Sequence, residues 1–213
     1  MKINDLRIVI NETLSPNLVG FKHKKTSFEY VKKSDELYYI FRVYTHSKTD
    51  WIKVASSVFV GSPKINKFFN LALNRNLPVN GSTWGYGIRN EQRDKGTYNI
   101  DSEKDIQNVI ARLLEDFNEI ALPEFQEVNS LEKLEQKLNE KNTHGLYQPM
   151  SVSSACSGII AAYMVDKGDF TQICDNYYEF CKTSQSKELA KPILETIDYL
   201  ENEEQAYSLA KRE

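Results

Sequence analysis

Cysteine is scarce in this chain: Cys156, Cys174 and Cys181 are the only three in 213 residues. An odd number, with no Cys-x-x-Cys pair, argues against a disulfide framework and against a zinc knuckle. Cys174 and Cys181 are seven apart, on one helix face with Ile173 and Tyr177, and read as small buried apolar side chains. Histidine is as sparse. His23, His46 and His144 fall in polar turns far apart in sequence, without a second His or a Cys at ligand spacing, so no metal site is expected. No G-x-S-x-G, P-loop or G-x-G-x-x-G occurs, which removes the common hydrolase, phosphate-binding and dinucleotide signatures. The S-x-x-K matches at Ser130 and Ser184 lack their companion motifs and read as helix caps. Carboxylate pairs such as Glu115 and Asp116 read as solvated helix faces. No catalytic residue can be nominated, no cofactor is implied, and a non-enzymatic role is the expectation.

Long hydrophobic runs are missing too. No apolar stretch approaches the ~20 residues that span a bilayer. Near the N-terminus, Asp5, Arg7, Asn11 and Glu12 stand where the apolar core of a secretory signal would lie. A cytoplasmic location without membrane association is therefore expected.

What is present is a globular composition, 40% hydrophobic and 11% aromatic. The net charge of −3 is unevenly spread: residues 1–100 hold 16 Lys/Arg and 8 Asp/Glu, whereas residues 101–213 hold 11 and 22. Such asymmetry either offers one half to an anionic partner or lets the halves attract each other.

The most informative stretch is Leu37–Tyr44 followed by Trp51–Val60. Both runs are rich in β-branched and aromatic residues, contain neither Gly nor Pro, and flank a short polar break, as in an antiparallel hairpin. Residues 3–14 place Ile3, Leu6, Ile10 and Leu14 at helical spacing, and Ser15-Pro16 is expected to end that helix. Residues 27–31 alternate as a strand. Ser62 and Pro63 mark the start of a short helix carrying Ile65, Phe68 and Phe69. Residues 83–89 and 97–100 read as short strands, with Gly85 and Gly87 leaving one face of the former bare. The clearest helix, 102–122, aligns Ile106, Val109, Ile110, Leu113, Leu114, Phe117 and Ala121 in one stripe able to cover a sheet face, and Pro123 closes or kinks it.

Beyond residue 126 the pattern is helical: 130–141, 153–167, 169–183 and 187–201. Gly168 suits a turn between two of these helices, Pro192 perturbs the last, and residues 202–213 are expected to fray. The fold class expected is α+β, an antiparallel sheet of about five strands over residues 1–126 packed by helices, with a helical region over 127–213.

The strands also supply the candidate site. Period-two alternation sets Tyr38, Ile40, Arg42 and Tyr44 on the face opposite Leu37, Tyr39, Phe41 and Val43. With Lys53, Trp84, Tyr86 and Arg89 they make an aromatic and basic set. Such a set can anchor a protein partner, can stack bases and neutralise phosphates of single-stranded nucleic acid, or can be ordinary strand residues beneath helices.

The opening helix, Leu18-Val19-Gly20-Phe21, Phe28, the long hairpin with Trp51, and the helix ending Ala121-Leu122-Pro123 resemble the bacterial family known as domain of unknown function 4304, over about the first 60% of the chain. The resemblance implies a compact α+β fold and brings no catalytic residues. The size and acidity are similar to those of immunity proteins of bacterial toxin systems, which neutralise toxins by binding them. The reading taken forward is a protein-binding module of the immunity type. Single-stranded nucleic-acid binding and an enzyme with an unrecognised site are the alternatives.

Overall fold

The computed structural model describes residues 2–48, 51–88, 97–140, 151–165, 167–183 and 187–210, and of 48, 167–169, 183, 187–189 and 204–210 the backbone alone. The elements run α1 (Ile3–Asn17), β1 (Lys22–Lys24), β2 (Glu29–Lys33), β3 (Tyr38–Lys48), β4 (Trp51–Gly61), α2 (Pro63–Ala72), β5 (Trp84–Gly87), β6 (Tyr98–Ile100), α3 (Glu103–Asp116), a π-helical turn Phe117–Ala121, α4 (Leu122–Glu127), α5 (Leu131–Leu138), α6 (Val152–Val165), α7 (Lys167–Thr183) and α8 (Lys187–Ala210). The fold is α+β with a helical C-terminal region. The chain divides into two compact units: Met1–Gly61 with Gly85–Val128, and Ser62–Trp84 with Asn129–Glu213.

The sheet lies in the order β1-β2-β3-β4-β5, and β6 also pairs with β4. The pairs β1–β2, β2–β3, β3–β4 and β4–β6 are antiparallel. The β3–β4 ladder is its spine, pairing residue by residue from Tyr38↔Gly61 to Lys48↔Trp51. The polar residues 45–48, expected to lie in the break, therefore belong to β3. Thr45 and Ser47 oppose Val54 and Ile52, so the ladder extends wherever one strand still has an apolar partner to cover.

One sheet face carries the core of the first unit. Tyr30, Phe41 and Val58 lie across one row and are fully buried. The expected helical stripe meets them: Ile106, Val109, Ile110, Leu113, Phe117 and Ala121 are buried, and the Phe117 ring stands edge-on to Phe41 with centroids 5.5 Å apart. Ser102 anchors the start of α3, donating to Asp105 Oδ2 through its backbone N–H at 2.8 Å and its hydroxyl at 2.9 Å. Pro123 does not close this helical run: a π turn, Phe117–Ala121, directly precedes it, and the chain continues through it as α4. Pro16 likewise fails to stop α1, which continues to Asn17. Leu14 and Leu18 are both buried, and the Leu18 N–H closes on Leu14 O at 3.0 Å, so burial outweighs the proline's bias.

Buried polar groups tie the same layers together. Asp116, expected on a solvated helix face, is instead 2% exposed; it accepts a short bond from the Ser56 hydroxyl on β4 and bonds at 3.2 Å from the Tyr98 hydroxyl on β6. Phe28 adopts φ +51°, an unfavourable conformation for a bulky residue, in the β1–β2 connection. Its ring is buried beside His23, with centroids 5.4 Å apart, and beneath the Arg7 guanidinium.

In the second unit α6 is the central helix, packing against α2, α5, α7 and α8. Small residues allow it: Ala155, Cys156, Ser157, Gly158, Ala161 and Ala162 are all buried. At Gly158 a Cβ would collide with Asn139 Oδ1 and come within 3.2 Å of the Tyr177 hydroxyl. Asn139, closing α5, donates to Gly158 O at 3.0 Å and accepts from Tyr177 at 3.1 Å. Cys174 sits with Ile173 and Tyr177 in the core, as the spacing predicts, whereas Cys181, expected to be buried with it, is only half-buried. Burial pushes the Cys156 thiol up to about 11 and the Cys174 thiol up to about 12, which keeps both protonated and inert. Gly168 lies in the first turn of α7 rather than between helices. The helix α8 runs past its expected end to Ala210, with Pro192 inside it.

Candidate functional site

Register places the candidate residues. Directly paired residues on neighbouring strands point to the same side of a sheet. One row runs Lys24, Glu29, Arg42, Ser57; the next runs Lys22, Val31, Ile40, Phe59; beyond these lie Lys33 with Tyr38, Tyr44 with Ala55, and His46 with Lys53. This is the side opposite the Phe41 core row. Among the described residues it gathers five cations, Lys22, Lys24, Lys33, Arg42 and Lys53, and one carboxylate, Glu29. Lys22, Lys24, Lys33 and His46 are exposed, and Tyr44 is 44% exposed.

The carboxylate is internally neutralised. Glu29 keeps only 6% side-chain exposure and receives the Arg42 Nε bond at 2.7 Å, a second close contact from Arg42 Nη2, and Lys24 Nζ at 3.8 Å. Arg42 also donates to the Tyr44 hydroxyl at 2.9 Å. Burial opposes the guanidinium charge, but the Tyr44 and Glu29 bonds outweigh it and raise the Arg42 pKa. Three of the cations lie over rings: Lys33 Nζ 5.1 Å from the Tyr38 centroid, Lys53 Nζ 4.9 Å from Trp51, and Arg42 Cζ 4.8 Å from Phe59 and 5.6 Å from Tyr44. The middle of the face is apolar, where Val31, Ile40 and Phe59 align, with Ile40 2% exposed.

Of the residues nominated from sequence, Tyr38, Arg42, Tyr44 and Lys53 share this face. Trp84 and Tyr86 do not join them. A Cβ on Gly85 would come within 2.7 Å of Phe59 Cα, so only glycine fits there, and Gly87 faces the Ser57 hydroxyl on the same side of β5. Alternation then sends Trp84 and Tyr86 to the other side, where the Tyr86 hydroxyl donates to Glu124 Oε2 at 3.1 Å. Lys137 Nζ lies 5.9 Å from the Trp84 ring. Arg89 falls outside the described residues. Tyr30 and Tyr98, also in the aromatic inventory of the strands, serve the core and the Asp116 network. Sequence reasoning did not collect Lys22, Lys24, Lys33, Glu29 and Phe59, because their convergence follows from cross-strand register and not from any one strand's pattern.

Among the described residues no three His, Cys, Asp or Glu converge as a metal set, and no helix is long and apolar enough to cross a membrane. Comparison with protein-family models, curated proteins and solved structures returns no match.

Proposed function

We propose that the protein is a binding module that engages an acidic protein surface through the outer face of β1–β4. The observation that carries this reading is the five-to-one excess of cations over carboxylates among the described residues of that face, which also exposes the Tyr44 ring. Tyr and Arg are usual anchors of a protein interface, and charged, solvated side chains form its rim. Base stacking is less well served, because Lys33, Arg42 and Lys53 already lie over the rings that would receive bases. Neutralisation of a toxin by charge-matched binding, as in immunity proteins, is one role such a face fits. The resemblance to the domain of unknown function 4304 family is compatible with it and adds no activity.

The test is affinity capture from a native extract with the wild-type chain and with the triple variant Lys22→Glu, Lys33→Glu, Lys53→Glu. Capture of an acidic protein by the wild type alone, weakening as salt rises, supports the reading. Equal capture by both chains, or binding of single-stranded oligonucleotides in its place, counts against it.

A further inference from the structure

The second unit holds a cavity of about 340 Å³ between α2, the connection 74–83 and the first turns of α6. That volume lies at the small end of ligand pockets, which run from roughly 300 to 1,000 Å³. Its outer wall is held in place by side chains that imitate backbone. Asn70 donates to Leu77 O at 2.7 Å and accepts from Leu77 N–H at 3.1 Å, while Asn66 donates to Val79 O and Gly81 O at 3.0 Å each. Thr83 locks the far end, donating to Asn66 Oδ1 at 3.0 Å and accepting from Ser62 N–H at 2.7 Å. A connection held this tightly keeps the wall pre-organised, which lowers the entropic cost of binding.

The lining has two components. Phe69, Leu77 and Pro78 form an apolar wall, and Ser82, Ser153 and Ser157 bring hydroxyls. Ser157 is only 4% exposed as a residue, but its hydroxyl is open to the cavity; among the described residues it meets no hydrogen-bond partner, nor do the hydroxyls of the exposed Ser82 and Ser153. All three hydroxyls are free to exchange hydrogen bonds with a molecule that enters the cavity. Among the described residues no ionisable side chain lines the space. A charged ligand would lose its hydration there without a counter-charge. Arg75 lies over Phe69, its Cζ 5.7 Å from the ring centroid, but it is not part of the lining.

We propose that this cavity binds a neutral, hydroxyl-rich small molecule of monosaccharide size. The serine hydroxyls exchange hydrogen bonds with its hydroxyls, and Phe69 and Leu77 cover its C–H face. The site is separate from the cationic strand face.

The experiment is a two-dimensional amide NMR titration of the full chain with glucose, galactose, mannose, ribose and N-acetylglucosamine, and with inorganic phosphate as the anionic probe. At least one sugar is expected to shift the Ser82, Ser153 and Ser157 amides saturably, and phosphate is expected to leave them in place. Ser157→Ala should weaken that binding about tenfold, the worth of one buried hydrogen bond. Ser153→Leu, at an exposed position, should block the cavity. The inference is overturned if none of the five sugars gives saturable shifts at these amides. It is overturned equally if phosphate moves them as a sugar does, or if both variants bind as the wild type does.

Discussion

Arg42 and Glu29 stand directly opposite each other on β3 and β2, and the guanidinium covers a carboxylate that keeps only 6% of its exposure. The pair is asymmetric, because Arg42 retains 27%. Removing the arginine strands a buried charge, whereas removing the glutamate leaves a cation that can turn to solvent and to Tyr44. Arg42→Ala is therefore expected to cost about 2–4 kcal/mol and Glu29→Gln about 1–2 kcal/mol, discounted from fully buried pairs for that exposure. Urea unfolding of the two variants gives the comparison, and an equal or reversed order would contradict it.

The Asp116 network should behave as a unit. Asp116→Ala leaves the Ser56 hydroxyl, on a residue only 1% exposed, without its acceptor and also removes the acceptor of Tyr98. The expected loss is about 2–3 kcal/mol, against about 1 kcal/mol for Tyr98→Phe. A double variant less destabilised than the sum of the singles, read from chemical denaturation midpoints, would demonstrate the coupling.

Gly158→Ala pits helix propensity against sterics. Alanine would gain about 1 kcal/mol in an open helix. Here its Cβ would displace Asn139, which bridges α5, α6 and α7 through Glu135, Gly158 and Tyr177. The net expectation is a loss of about 1–3 kcal/mol. A thermal melt showing stabilisation would refute the tight approach of α5 and α6.

His23 gives the stability a pH dependence. Its ring lies between Phe28 and Tyr30, its Nε2 is buried without a partner, and burial, followed by nearby Lys25, lowers its pKa below 6.5. The folded state then binds this proton less readily than the unfolded state. Its contribution is whole above 6.5 and is lost as pH falls from there through the lowered folded value. His23→Phe should flatten that part of the stability profile, and an unchanged acid limb would show that other groups set it.

The hairpin and the Ile106–Ala121 stripe were legible because each is a local periodicity, two in one and near 3.6 in the other. Pro16 misled, because a proline's bias acts on two or three residues while burial of Leu14 and Leu18 acts through the whole core. The candidate face was half legible. Alternation along β3 placed Tyr38, Arg42 and Tyr44, but gathering Lys22, Lys24, Lys33 and Phe59 beside them required the register of four strands. Trp84 and Tyr86 were set apart by a steric fact invisible in one dimension, the closeness of β4 backbone to Gly85. Nothing in the sequence indicates that α2 and its following connection group with α6 and α8.

The most direct test of the binding face is photo-crosslinking in a native extract from a benzoylphenylalanine placed at Tyr44, on the face, and at Val19, which is 83% exposed in the connection between α1 and β1. Adducts with an acidic protein from position 44, and none from position 19, are the predicted result. Equal labelling from both positions, or adducts with nucleic acid from position 44, would contradict the account.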